Sequence, residues 1–358
     1  MKIALPFYII FALGASMVPD YAAASPLPEK SIPQSVDWFA HLDVEQLKSS
    51  RVGAVLFEEL KSVDPLKNNP QLPINPILLI DGLRGLTTFG TMPDLKNPGP
   101  DVDVVLLIDG TPELVQVFRG LISGFRLEQP EAIEETNHSG HAILSMNQAG
   151  ISGIFMEDGR VALSKSLGSL KGFLSAHTGQ SGHLEFGQKF PLPALDQGLG
   201  VYLGVFVDGL GGLQDLPVQA RILRLTEAVA LQLGESGDNL HLLASLITDQ
   251  PETAQQVQEV LRGIIAMMIL TQNGHPDVAT LVESARVHRV DNAVALKVDY
   301  PAASAEKWVR LLTAKIAEQM APKEEREAEG EAVAAPADTV GESRNPGQGD
   351  VVETTPSA

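Results

Sequence analysis

Apolar positions along this chain follow two periods, and the periods alternate in a regular order. Val36 to Val44 (VDWFAHLDV) reads as a strand. Asp43 is placed to cap the helix that follows, with Gln46 as its capping-box partner. Val52, Val55, Leu56 and Leu60 then recur at helical spacing. Pro65, Pro70, Pro73 and Pro76 predict loop and short turns. Leu83 to Met92 and Val102 to Asp109 predict two strands around the turn PDLKNPGPD. A helix opens next. Thr111 caps it, Pro112 takes its first position and Glu113 sits in its first turn. Segments 131–137, 141–147, 151–157 and 160–164 predict strands, and Leu167 to Ala176 predicts a closing helix.

A second series repeats this order. Leu199 to Val207 (LGVYLGVFV) predicts a strand, Val218 to Leu223 a short helix, and Leu225–Leu233 with Asn239–Thr248 a strand pair around GESGD. Asp249 is then the expected cap of a helix entered at Pro251. Val257, Val260, Leu261, Ile264, Ile265 and Met268 form its apolar stripe. Strands are expected at Glu283–Val290 and Ala293–Tyr300, joined by Asp291-Asn292. Ser304 is the expected cap of a last helix, with Trp308, Leu311, Leu312, Ile316 and Met320 on one face.

The two series carry nearly the same phrase. DGTPELVQVFRGLIS begins at Asp109 and DQPETAQQVQEVLRGIIA at Asp249, and FRGLI matches LRGII almost letter for letter. A four-residue insertion separates them, about one helical turn, so the apolar face stays in register. These alignments predict a duplication. The expected fold class is α+β: two duplicated units, each an antiparallel sheet with helices packed on one face. The boundaries that follow are 1–24 for a signal peptide, 25–35 for a linker, 36–187 and 195–321 for the units, and 322–358 for a disordered acidic tail.

Charge and composition narrow the partners. The 358 residues carry a formal net charge of −19, and no cluster of Lys and Arg interrupts the acidity. This argues against nucleic acid, which calls for a basic patch. Residues 322–358 hold nine acidic and three basic side chains and almost no large apolar ones, too few to offset the entropy of ordering. Lys2, the apolar run Ile3–Val18 and the small residues Ala22-Ala23-Ala24 match a signal peptide cut before Ser25. The run is shorter than the roughly 20 residues a membrane span needs. There is no cysteine. That removes disulfides, thiol nucleophiles and cysteine metal sites, and it fits a bacterial periplasm.

Three stretches, HLDVEQLKSSRVGAVLFEEL, PETAQQVQEVLRGIIA and HPDVATLVESARVHRVDNAVALKVDYPAASAEKWVRLL, give the chain a family likeness. It resembles a set of uncharacterised exported bacterial proteins with two duplicated α+β halves, over most of residues 36–320. The resemblance implies a fold and transfers no catalytic residue.

Candidate chemistry is sparse. His138 and His141 could share a metal, with His177, His183, Glu134, Glu135 and Asp158 nearby in sequence, but the stretch Asn137–Gly140 also reads as a polar hairpin turn. Ser304-Ala-Glu-Lys307 matches S-x-x-K without the companion SDN and KTG signatures. Gly179-Gln-Ser181-Gly182 follows a helix and lacks the spacing of a nucleophile elbow, and Gly198-Leu-Gly200 lacks the rest of a dinucleotide fingerprint. The run Gly263–Leu270 (GIIAMMIL) is apolar all round, so burial between the sheet and the second unit is expected; a groove for a lipid or apolar peptide is the alternative. The resulting expectation is an exported, non-enzymatic binding or scaffolding protein of the cell envelope. It needs no cofactor, and its partner is an envelope protein or an apolar ligand. A periplasmic carrier of an apolar ligand and a metal-dependent envelope hydrolase using the histidines near 138–183 are the rivals.

Overall fold

The computed structural model describes residues 27–62, 75–92, 103–185, 200–210, 225–271 and 276–320. The predicted signal peptide, the start of the linker, the PDLKNPGPD turn, the Val218–Leu223 helix and the acidic tail lie outside these residues.

The first half runs β1 (Trp38–Asp43), α1 (Val44–Ser49), α2 (Arg51–Ser62), α3 (Pro76–Gly82), β2 (Leu83–Gly90), β3 (Val104–Gly110), α4 (Pro112–Glu128) and β4 (Ile133–His138). It continues through β5 (His141–Met146), β6 (Ile151–Phe155), β7 (Arg160–Ser164) and α5 (Leu167–His177). The second runs β8 (Gly200–Val207), β9 (Ala228–Ser236), β10 (Asn239–Ile247), α6 (Pro251–Thr271), α7 (Pro276–Ser284), β11 (Arg286–Val290), β12 (Ala293–Pro301) and α8 (Ala302–Met320). The protein is α+β.

Among the described residues twelve strands join one sheet, in the order β11-β12-β10-β9-β8-β1-β2-β3-β7-β6-β5-β4. Every neighbouring pair is antiparallel. The halves meet where β1 pairs with β8, Ala40 opposite Val205. From that join the order is the same in both directions: first, second and third strand of the half, then its last strand, then the one before it. The β4–β5 hairpin extends the first half beyond this shared pattern.

Alternation along the strands makes two cores, one per face. Phe39, Phe89, Leu107 and Phe206 point to one face and meet Leu170, Phe173 and Leu174 of α5. Leu42, Leu86 and Leu203 point to the other and meet Leu47 of α1, Val52 of α2 and Val309 of α8. Both cores contain residues from both halves, so the join is packed on either side. A smaller cluster seats α6 through Ala254 and Val257 against Leu246 and Val294, on the α8 face. Helices on one face thus describes most of the molecule, and α5 covers the other.

Charged groups also cross the join. Arg51 of α2 pairs with Asp238 at 3.1 Å and with Glu306 of α8, and Arg310 of α8 pairs with Glu59 of α2. Beneath them Glu235 is 0% exposed. Burial pushes its carboxyl up, and the nearby Arg51 charge and α2 amides offset only part of this; neither oxygen makes a hydrogen bond of normal geometry. The adjacent Tyr202 hydroxyl is buried without a partner as well, and burial followed by the Glu235 charge pushes it up.

Several local expectations need correction. Pro76 opens a helix instead of breaking one: Asn75 accepts from the Ile77 amide at 2.9 Å, and a proline at the first helical position sacrifices no bond. Pro276 likewise opens α7, so Glu283 lies in a helix and β11 starts at Arg286. Ala254 N–H donates to the Gln250 carbonyl at 3.1 Å, so α6 begins one residue later than a cap at Asp249 would place it. Ser304 lies inside α8, which starts at Ala302 with its N–H bonded to Asp238 O at 2.8 Å. The face of α8 that packs carries Ala305, Val309 and Thr313, whereas Trp308, Leu311 and Leu312 are exposed. Small and β-branched side chains allow close approach to α2, and the large ones have no surface above them.

Candidate functional site

Helix α6 has 21 residues and is therefore about 30 Å long. Its apolar stripe is the one the sequence predicts, but burial fades along it. Val257 is 0% exposed, Leu261 is half-buried, and Ile264 and Met268 are each 39% exposed. Its first turns pack on β11 and β12, with Ala254 and Val257 clustered against Leu246 and Val294; beyond Leu261 most of the stripe is exposed. Met267, Ile269 and Leu270 widen the exposed surface, and Leu270 is 82% exposed. The expected burial of Gly263–Leu270 between the sheet and the second unit therefore fails. A period of 3.6 shows that a helix has an apolar side; it cannot show how far the supporting sheet extends.

Helix α7 turns back against α6 and β12, burying Val282 and exposing Val278 and Leu281. The two helices pack on each other, and together they expose Ile264, Met267, Met268, Leu270, Val278 and Leu281. Methionine at two adjacent positions gives that surface flexible, polarizable side chains able to follow an irregular partner. Continuous exposed apolar area of this kind marks interaction sites on soluble folds.

The histidine region is arranged differently. His138 and His141 face each other across the β4–β5 hairpin, whose central residues Ser139 and Gly140 have φ of 51° and 82°. Two positive φ angles define the tight hairpin turn that matches strand twist, so the polar-turn reading holds. The His141 ring lies edge-on to His177 at 6.5 Å, and His177 stacks on Phe173 at 5.9 Å. The His177 Nδ1 and the Ser31 hydroxyl are 3.0 Å apart, and Arg160 donates to the same hydroxyl at 3.3 Å. Asp158 holds the Arg160 guanidinium in turn. Burial pushes the His177 imidazole down, and the Arg160 charge adds to this. Burial pushes the Asp158 carboxyl up, but its hydrogen bonds and charge contact with Arg160 outweigh that and hold it below the usual carboxylate range.

A serine, a neutral imidazole and an arginine in contact have nucleophilic potential, but Ser31 is only 2% exposed. Its hydroxyl is engaged by both His177 and Arg160, which fastens the segment before β1 to the end of α5. Leu184 and Gln34 complete that fastening: Leu184 N–H donates to Ile32 O at 2.7 Å and Gln34 N–H to Gly182 O at 3.2 Å. Among the described residues no three His, Asp or Glu side chains gather as metal ligands. His141 is brought near His177, and His138 sits across the hairpin from His141; Glu135 pairs with Arg126 at 3.0 Å, and His183 bridges to Pro33. Ser31 and Arg160 carry no linear motif, and only the tertiary fold reveals their contact with His177.

No family pattern matches the chain. No curated protein matches it either. Among solved structures it is similar to three crystal forms of the protein TP0453. Crystal form III superposes with a TM-score of 0.42 at 11% identity, covering 81% of this chain and 99% of that one. Crystal form IV gives 0.40 at 10% identity and crystal form I gives 0.38 at 10%, each covering 81% of this chain and 98% of the other. Among the described residues no helix is long and apolar enough to cross a membrane.

Proposed function

We propose that this is an exported, non-enzymatic binding protein of the bacterial cell envelope, and that the α6–α7 hairpin holds its apolar partner. The observation that carries the reading is the run Ile264–Leu270, apolar and, apart from the half-buried Ile265, exposed at the far end of α6. Water contact with this surface is unfavourable by roughly 25 cal/mol per Å2 of apolar area, so a partner that covers it gains affinity without displacing any polar bond. The segment is in a well-formed helix, which lowers the entropy lost on binding. A carrier enclosing an apolar ligand has less support, because these side chains project outward and do not wall a cavity. Export is supported by the leader-like N-terminus, and N-terminal sequencing of protein recovered outside the cytoplasm should begin at Ser25. The halves read as copies of one unit, supported by the matching strand order on either side of the β1–β8 join.

Photo-crosslinking in envelope extract tests the binding reading. A photoreactive residue at Met267 or Leu270 should capture a partner, and one at Gln255, on the exposed side of the seated turns, should not. Equal capture from all three positions, or from Gln255 alone, contradicts it.

A further inference from the structure

We propose that copies of this protein join head to tail, the β4 edge of one pairing antiparallel with the β11 edge of the next, to extend the sheet from molecule to molecule. The two outermost strands of the sheet are β11 and β4. An outermost strand offers its outward backbone groups to another strand unless something discourages the approach, and charge is the common deterrent. Here the charges on the two edges are opposite. Strand β11 reads Arg286-Val-His288-Arg289-Val290, with no acidic residue, and Arg286, His288 and Arg289 are exposed. Strand β4 reads Ile133-Glu134-Glu135-Thr-Asn-His138, with both glutamates exposed. A basic edge stands out on a chain of net charge −19. Each edge repels its own kind, which opposes closed dimers made from two β4 or two β11 strands, and each attracts the other. A contact between unlike patches is heterologous, and it propagates unless rotation closes it into a ring.

The geometry permits this continuation. All neighbours alternate in direction over twelve strands, so β4 runs opposite to β11, and a following copy continues the alternation without being turned over. Faces agree as well. Val287 belongs to the cluster beneath α6, which places its i+2 neighbour Arg289 on that face. Thr136 pairs with Ile143 of the α5-side core, which places the next residue, Glu135, on the α6 face. One register then sets Glu135 opposite Arg289 and Thr136 opposite His288, with Glu134 diagonal to His288. Opposite charges at facing positions stabilise a strand pair and like charges destabilise it. Existing contacts leave donors to spare. Arg289 donates one nitrogen to the Pro251 and Asp291 carbonyls, Arg286 one to Glu283 O and Ala285 O, and a guanidinium has five N–H groups. Glu135 already accepts from Arg126 and has lone pairs remaining.

Sedimentation of the purified protein over a range of concentrations tests this. The mass should rise above that of the monomer with concentration, in a series of species and not a single dimer. At the facing 135–289 position, Arg289→Glu sets glutamate against glutamate and Glu135→Arg sets arginine against arginine. Each variant alone should lose the association while its circular dichroism and melting temperature stay unchanged. An equimolar mixture of the two should regain it, because the 135–289 position then pairs opposite charges between unlike molecules. A wild-type protein that stays monomeric throughout overturns the proposal. So does a single closed dimer, or an association that survives both substitutions, which would belong to another surface such as the α6–α7 hairpin.

Discussion

Helices α5 and α6 are both rich in apolar residues, and the fold treats them in opposite ways. Leu170, Phe173 and Leu174 of α5 are fully buried in an 11-residue helix. Of the 21 residues of α6, only Ala254 and Val257 reach the same condition. Helix α5 lies on β3, β7 and β6, inside the sheet, with further strands on both sides of them. Helix α6 packs its first turns on β12 and the outermost strand β11, and its second half is largely exposed. Burial was decided by the extent of the surface underneath and not by the apolar content of the helix. This is why an equally hydrophobic segment can serve as core in one place and as a contact surface in another.

The largest expected effect lies on the α5 side. Phe173→Ala removes a fully buried ring stacked on His177 and close to Phe89, and it should cost about 3–5 kcal/mol in denaturant unfolding. A cost under 1 kcal/mol would mean that α5 is not seated as described. Next in size is Val257→Ala, which trims a fully buried side chain at the seated end of α6. The loss should fall within about 0.5–3 kcal/mol and below that of Phe173→Ala, measured the same way.

Acid should distinguish the two helices further. His177 ends α5, and its folded pKa is lowered by burial and then by Arg160. The neutral imidazole is the form the fold favours, so its contribution is complete above the unfolded value of about 6.5 and is lost as pH falls through the folded value. Thermal melts of the wild type should therefore show a drop below pH of about 6.5 that His177→Gln reduces. An identical pH profile in the variant would remove His177 from the account. The smallest stability effect belongs to the overhang: Met267→Gln and Ile269→Gln should each stay within about 0.5 kcal/mol of the wild type.

Much of the fold was legible because short-range signals decide it. The Asp43 cap on the Gln46 amide at 2.9 Å and the Thr111 cap on the Leu114 amide at 3.4 Å follow from residue type and spacing. Strands β5, β7, β10 and β12 follow from apolar alternation bounded by turns. Helices α3 and α7 were hidden because proline signals both a break and a first turn, and only the following residues separate the two. Sheet order, the shared cores and the end of the support under α6 depend on contacts between distant segments, which period and capping do not encode. The exposed apolar end of α6 was therefore legible as an unusual sequence, GIIAMMIL, but not as an exposed one. Ser31 and Arg160 could not be connected to His177 from sequence, since 129 residues separate the first two and no spacing rule joins them.

The most direct test is the double substitution Ile264→Glu with Met268→Glu, assayed on one preparation for unfolding free energy and for capture of partner from envelope extract. Both residues continue the stripe of α6 beyond its buried turns and are exposed, so they separate core from the proposed contact surface. The account predicts stability within about 1 kcal/mol of the wild type, from two exposed changes of about 0.5 kcal/mol each, together with loss of capture. A fall of several kcal/mol would show that the stripe is core after all, and unchanged capture would show that the overhanging hairpin is not where the partner binds.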